Sequence, residues 1–381
     1  MLNLTSRLPE IGTSIFAVMS KMANEEGAIN LSQGFPDFPV SENLIELVNK
    51  YMREGHNQYA PMPGVPALRN RIAEVVKSTY GRDVNPETEV TVTAGGTQAI
   101  FAAIAGLIGA GDEVIIFDPS YDCYDPAVRL NGGVPIHIDL IPPTFAIDWG
   151  EVKSRITERT RMIMINTPHN PSGVVLEEQD LRKLEKIAEE HDLIVLSDEV
   201  YERIIFGKVH NSVLKFPLLA KRSLAVFSFG KTFHTTGWKV GYVIAPESIS
   251  KEIRKAHQFI TFSVNTPVQL ALAEYMSDPE NFLHLYEFYQ AKRDFFLEQV
   301  KGSAFEPMGC LGSYFQLLSY KNISDRNDCD MAEWMTRKHK LASIPVSVFY
   351  NDGSDHKLLR FCFAKGEDTM RRAGEVLRSI K

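Results

Sequence analysis

The sequence predicts an α/β protein, with a mostly parallel sheet covered by helices on both faces and a smaller α+β domain beside it. Two patterns and one bound carry that reading. Between Val90 and Leu196, apolar runs of strand length alternate with segments of helical periodicity. The strand-like runs, such as Val114-Ile-Ile-Phe117 and Leu193-Ile-Val-Leu196, are apolar throughout instead of alternating, as strands buried on both faces are. At 381 residues, 44% of them hydrophobic and 23% charged, the chain is long enough to divide into about two domains.

The elements follow in chain order. Ile15, Phe16, Val18, Met19 and Met22 give residues 11–23 a helical spacing. Ile29 to Pro39 is rich in Gly and Pro and reads as a loop, as does Asn57 to Gly64, which leads into a helix carrying Leu68, Ile72 and Val75. Strands are expected at Val90–Thr93, Glu113–Phe117, Val134–Ile138, Arg161–Ile165, Leu193–Leu196 and Leu224–Phe227, with helices at Thr97–Ile108 and Glu177–Glu190. Residues 46–275 are assigned to this large domain. A helix-rich stretch from Lys251 to Glu298 follows. Short strands near Ser313–Leu318 and Leu358–Phe363, with helices at Asp330–Lys340 and Glu367–Ser379, make residues 276–381 an α+β unit.

Composition narrows the function. A net charge of -7 and a pI near 5.9 argue against a nucleic-acid or anionic-membrane partner. Cys123, Cys310, Cys329 and Cys362 are far apart, so neither a metal site nor a disulfide framework is expected. The first thirty residues contain Glu10, Glu25 and Glu26 and lack a signal-peptide run, and no stretch has membrane-spanning length. The expectation is a cytoplasmic protein with a small-molecule partner.

The chemistry is placed at Ser223–Tyr242, where an apolar strand ends in Ser228 and Lys231 follows. Open α/β sheets collect ligands at such carboxyl ends. A lone lysine there is ordinarily a solvated loop residue. A nucleotide reading takes Gly230-Lys231-Thr232 as the tail of a G-x-x-x-x-G-K-S/T loop. Ala225 replaces its first glycine, the acidic strand ending at Asp198 comes earlier in the chain, and Gly237 and Gly241 interrupt the helix that should follow. Elsewhere, Thr93-Ala-Gly95-Gly96-Thr97 lies between a strand and a helix and offers backbone N–H groups to a phosphate. Asp198 at a buried strand end either caps the next turn or needs a cationic partner. Arg360 is a cation on an otherwise apolar strand, suited to clamp a carboxylate.

Ser228-Phe-Gly-Lys231-Thr-Phe-His-Thr-Thr-Gly-Trp-Lys239-Val-Gly-Tyr242 resembles the lysine signature of class I pyridoxal-phosphate aminotransferases, and is most similar to their methionine, glutamine and kynurenine branch. Gly34-Phe-Pro-Asp-Phe38, the Tyr59 to Gly64 loop, Pro119-Ser-Tyr121, Asn166 to Gly173 and Arg360 match further family motifs in the family's order. The resemblance implies ping-pong transamination between an amino acid and a 2-oxo acid. Lys231 would bond pyridoxal phosphate and carry the substrate proton. Asp198 would face the pyridine nitrogen, Asn170 and Tyr201 the phenolic oxygen, and Tyr121 the ring. Gly95, Gly96, Thr97, Ser228 and Lys239, a position often held by arginine, would hold the phosphate. Tyr59 would reach the phosphate site of the partner subunit in a homodimer, and Gly34 and Arg360 would take the substrate carboxylate. The resemblance also joins residues 1–45 to the small domain. Ile15, Phe16, Phe35, Tyr121, Phe262 and Ser263 would line a side-chain pocket without an arginine, favouring a large apolar, sulfur-containing or aromatic substrate, methionine first. A cation from Arg254 or Arg326 would reverse that preference. A carbon–sulfur β-lyase on the same residues, and a phosphate-loop ATPase, stand as alternatives.

Overall fold

The computed structural model describes every residue except Met1 and Asn3. Seven strands form the central sheet, running edge to edge as Val90–Thr93, Gly241–Ile244, Ser223–Ser228, Ile194–Asp198, Thr160–Asn166, Glu113–Asp118 and Val134–Asp139. Only Gly241–Ile244 lies antiparallel to its neighbours; the other pairings are parallel. A second sheet of four antiparallel strands is ordered Ile344–Pro345, Leu358–Cys362, Phe315–Ser319, Glu306–Pro307. This is the α/β class with a small antiparallel unit that the sequence predicts.

The continuous apolar runs have a direct explanation. Side chains alternate across a strand, and here each side meets a covered face. Ile115, Phe117, Ile163, Ile165 and Val195 enter one core, while Val114, Ile116, Met162, Met164 and Leu196 enter the core on the opposite face. Each such side chain contributes about 1.5–3 kcal/mol on burial, and exposure on these strands is confined to their ends, as at Arg161. The strand Gly241–Ile244 escapes the sequence reading because it has four residues and begins with a glycine. That glycine is required: a Cβ at Gly241 would lie 2.5 Å from the Phe227 carbonyl oxygen. The helix Glu42–Arg53 was also not anticipated.

A third core lies under the small sheet and includes Phe315, Leu318, Leu359, Phe361, Met331 and Met335. The N-terminal residues are tied to it. Ile29–Asn30 pairs in parallel with Leu341–Ala342, and the Leu31 carbonyl accepts the Cys362 N–H at 2.8 Å. These bonds carry the loop that holds Gly34 against the small sheet. A Cβ on Gly34 would come 2.8 Å from the Phe315 ring, so glycine is what allows the approach.

One charged lock holds the loop that precedes Tyr121. His137, on an edge strand, donates to Asp118 at 2.9 Å and to Asp125 at 3.0 Å, and Asp118 also accepts the Asn351 N–H at 2.8 Å. Burial works against the imidazolium, but the two carboxylates outweigh it and raise the pKa of His137 to about 9. The folded value lies above the ordinary 6.5, so the stabilisation is complete below that pH and is lost as pH rises through about 9. It is worth on the order of 3 kcal/mol. His137→Gln is therefore expected to lower the urea midpoint clearly at pH 6, with the gap to the parent narrowing by pH 9.5; a gap independent of pH would contradict the lock.

Candidate active site

Sheet register brings the chemistry to one edge. Asn166 and Asp198 are neighbours across their strands, and Thr93 and Ser228 both lie opposite Gly241. At these carboxyl ends opens a cavity with Gly95, Gly96, Thr97, Tyr121, Asn170, Asp198, Tyr201, Ser228, Lys231 and Lys239 in its wall.

Lys231 sits on the single-turn helix Phe229–Thr232, directly after the strand. Its Nζ donates to the Tyr314 hydroxyl at 2.7 Å and to the Gly34 carbonyl at 3.3 Å. Burial lowers its pKa from 10.5 to about 8; Arg360 and Lys239 add to this, and Cys362 and Asp198 oppose it. Enclosure, and not the neighbouring cation Lys239, is the larger cause. The four-residue helix and an amine turned toward Gly34 and Tyr314 also set this segment apart from a phosphate loop, which needs a long helix aimed at its ligand.

Asp198 caps the next turn, one of the two readings the sequence left open, and among the described residues it has no cationic partner. Oδ1 accepts the Val200 N–H at 3.3 Å, as a turn cap does, and Oδ2 accepts the Tyr124 hydroxyl at 2.6 Å. Burial nevertheless raises its pKa to about 6 against those bonds. Asn166 fastens the neighbouring loop, donating to the Asp198 carbonyl at 2.9 Å and accepting the Asn170 N–H at 2.7 Å.

Arg360 is 1% exposed. It donates to Asn170 Oδ1 at 2.9 Å and to the Ser32 carbonyl at 3.2 Å, and its Nε has no partner. The guanidinium lies 3.9 Å from the Phe315 ring centre and 5.2 Å from that of Phe16. Among the described residues it forms no salt bridge. A buried guanidinium surrounded by rings and lacking an anion is an incomplete site, and its planar fork suits a carboxylate.

The glycine turn forms the opposite wall. Gly95 has φ 83° and caps the helix Gly96–Leu107, whose first N–H groups have no intrahelical acceptor. A Cβ at Gly95 would lie 3.4 Å from the Lys239 amine. Lys239 itself has φ 56°, a conformation that costs a residue with a Cβ about 1–2 kcal/mol and that is typically retained at functional positions. Tyr121 joins this wall through a 3.3 Å contact of its hydroxyl with Thr97 Oγ1.

Other expected residues lie apart from the cavity within one chain. Tyr59 is 81% exposed and rests edge-on against Phe262, with ring centres 5.2 Å apart. Phe35 is exposed, and Ser263 donates to the Ala60 carbonyl. Ile15 packs on the small-sheet core. The two arginines that could have brought a second cation are committed elsewhere. Arg254 donates to Thr91 Oγ1 and to the Glu87 and Val90 carbonyls, and Arg326 covers the Trp334 ring. The sequence reading missed Tyr124 and Tyr314; nothing in spacing separates them from core tyrosines. Asn166 was visible inside its motif, with no role attached.

The family model described as aminotransferase class I and II matches residues 26–377. The chain is 49% identical over 377 residues to a methionine aminotransferase of Escherichia coli K12, covering 98% of each. It is 34% identical over 405 residues to kynurenine–oxoglutarate transaminase 3 of Mus musculus, covering 98% of this chain and 89% of the relative. A solved Escherichia coli structure, described as having a methionine aminotransferase function, shares the fold with a TM-score of 0.97 at 49% identity over 100% of both chains. An N-succinyldiaminopimelate aminotransferase structure from Mycobacterium tuberculosis gives 0.95 at 33% identity, again over 100% of both.

The enclosure of Lys231 has a measurable consequence. In cofactor-free protein, trace acetylation of Lys231, followed by peptide mass spectrometry, is expected to rise with a midpoint near pH 8. A midpoint near the ordinary 10.5 would contradict the burial argument.

Proposed function

The chain belongs to the class I and II aminotransferase family, and from that premise we propose a pyridoxal-phosphate enzyme that moves the α-amino group of a large apolar, sulfur-containing or aromatic amino acid, methionine first, to a 2-oxo acid. The observation that carries the reading is the enclosed Lys231 amine beside a buried Asp198 that lacks a cation.

The residues fit the cofactor. Asp198 is a buried carboxylate in want of a positive charge, which a protonated pyridine nitrogen provides. The Gly95–Thr97 turn, Ser228 and Lys239 together offer backbone donors, a hydroxyl and a charge for a phosphate. Asn170 and Tyr201 present neutral donors for the phenolic oxygen, and Tyr121 presents a ring face. When bound, the cofactor supplies an electron-accepting ring that stabilises the charge left on the substrate Cα as its proton departs.

The chain's own residues do the remaining work. Arg360 and the Gly34 loop grip the substrate carboxylate, and Asn170, bonded to Arg360, links that grip to the cavity. The Lys231 amine is about half unprotonated near pH 8 and would accept and hold the Cα proton. A 2-oxo acid leaves, and a second one reverses the steps. The β-lyase alternative would use the same groups, and no feature of the cavity favours it.

Two finer points belong to this proposal. Tyr59, Phe259, Ile260 and Phe262 form an exposed apolar stretch, which we assign to a homodimer interface placing Tyr59 at the partner subunit's phosphate site. No described helix is long and apolar enough to cross a membrane, and with the acidic composition this supports a cytoplasmic location.

Substrate choice follows from the committed arginines. An aspartate side chain would bury a second carboxylate without a cation, a cost of several kcal/mol in order of magnitude. The half-reaction rate constant per substrate concentration is expected to be at least about tenfold higher for methionine than for aspartate, roughly 1.4 kcal/mol in the transition state. Equal values would show that a cation reaches the pocket. For the dimer, mixing inactive Lys231→Ala chains with strongly impaired Tyr59→Phe chains is expected to restore activity through heterodimers with one intact site. Proven subunit exchange without recovery would remove the shared site.

A further inference from the structure

Tyr314 is fully buried and stands where the small sheet meets the catalytic lysine. Its hydroxyl makes two contacts. It lies within hydrogen-bond distance of the Gly34 carbonyl, and it is 2.7 Å from Lys231 Nζ. A carbonyl can only accept, so the hydroxyl proton goes to Gly34. Burial also pushes the Tyr314 hydroxyl well above its ordinary pKa, which keeps that proton in place. The Tyr314 oxygen is then left to accept an N–H from Lys231. The Gly34 carbonyl accepts a second Lys231 N–H at 3.3 Å.

A neutral amine has two N–H bonds and one lone pair. We propose that Tyr314 is a positioning residue for Lys231: with its own proton committed to Gly34, it and the Gly34 carbonyl take both N–H bonds of the free amine and leave the lone pair directed away from them. The inference deepens the transaminase reading and rests on Lys231 as proton carrier. The balance is simple. The lone pair receives the Cα proton and the amine becomes an ammonium whose first two N–H bonds stay on Tyr314 and Gly34. The third N–H is the proton just taken, and it alone is free to be given up. The same two acceptors thus aim the amine on both legs of the transfer.

Among the described residues Tyr314 and Gly34 are the hydrogen-bond partners of the Lys231 amine. Tyr201 meets Tyr314 edge-on at 5.1 Å between ring centres, and the Lys231 amine lies 5.4 Å from the Tyr201 ring centre, over its face. Tyr314→Phe keeps the ring, and so keeps its packing against Tyr201, Tyr289 and Phe315.

The test uses full-length enzyme loaded with pyridoxamine 5'-phosphate, which has no aldehyde and leaves Lys231 free. Parent, Tyr314→Phe and Tyr314→Leu are trace-acetylated across pH, and Lys231 is quantified by mass spectrometry. The two variants remove the same oxygen with different side-chain bulk, and thermal unfolding checks that each is folded. Because the lost oxygen stabilises the ammonium, the Lys231 midpoint is expected to fall by about one pH unit below the parent's. The half-reaction with a 2-oxo acid is expected to slow at least about tenfold at saturation, with KM moved less than about threefold. More free base with a slower reaction is the signature of lost aim, and a purely structural role does not produce it. An unmoved midpoint overturns the proposal, as does a moved midpoint with an unchanged rate. Failure of the broader reading is separate: Lys231→Ala would then retain turnover whatever Tyr314 does.

Discussion

Two opposite charges buried at the carboxyl edge of one sheet, without ion-pair partners, set the terms for everything around them. Asp198 is 4% exposed and Arg360 1%, and among the described residues neither forms a salt bridge. Leaving such groups unpaired is expensive, typically several kcal/mol each. A fold retains them when a ligand completes the pairing. The carboxylate seeks a cation at the strand end, and the guanidinium seeks an anion on the side of the small sheet. In the proposed function the cofactor's pyridinium would meet the first demand and the substrate carboxylate the second.

The rest of the architecture brings these charges together. Parallel strands end at the same edge, so Asn166, Asp198 and Ser228 arrive there through register alone. The small sheet then closes over them from the other side. Arg360 comes from its central strand, Gly34 from a loop sewn to that strand, and Tyr314 from the residue before its neighbour. Lys231 is therefore contacted by both parts of the molecule. Its amine is enclosed without being locked into an ion pair, and this is why its pKa falls to about 8 instead of rising.

Much of this was legible in the sequence where a residue type contradicted its surroundings. Asp198 and Arg360 stood out as charges on apolar strands and Gly34 and Gly95 as turn glycines, while their closeness to Phe315 and Lys239 appears only in the fold. Tyr124 and Tyr314 were illegible for the opposite reason. A buried tyrosine on an apolar segment looks the same whether its hydroxyl meets a carboxylate, a lysine or a carbonyl, and only the tertiary fold decides. The strand Gly241–Ile244 was missed because four residues after a glycine-rich loop carry little periodicity. Tyr59 and Phe262 meet each other on the surface of one chain.

The central claim is that Lys231 is the lysine that bonds the cofactor at this sheet edge. Borohydride reduction of enzyme incubated with pyridoxal 5'-phosphate, followed by peptide mapping, tests it most directly. The account predicts one stable adduct per chain, on Lys231, absent when an excess of methionine has first converted the enzyme to its amine form. An adduct on another lysine, or none on Lys231 in a fully loaded preparation, would contradict it.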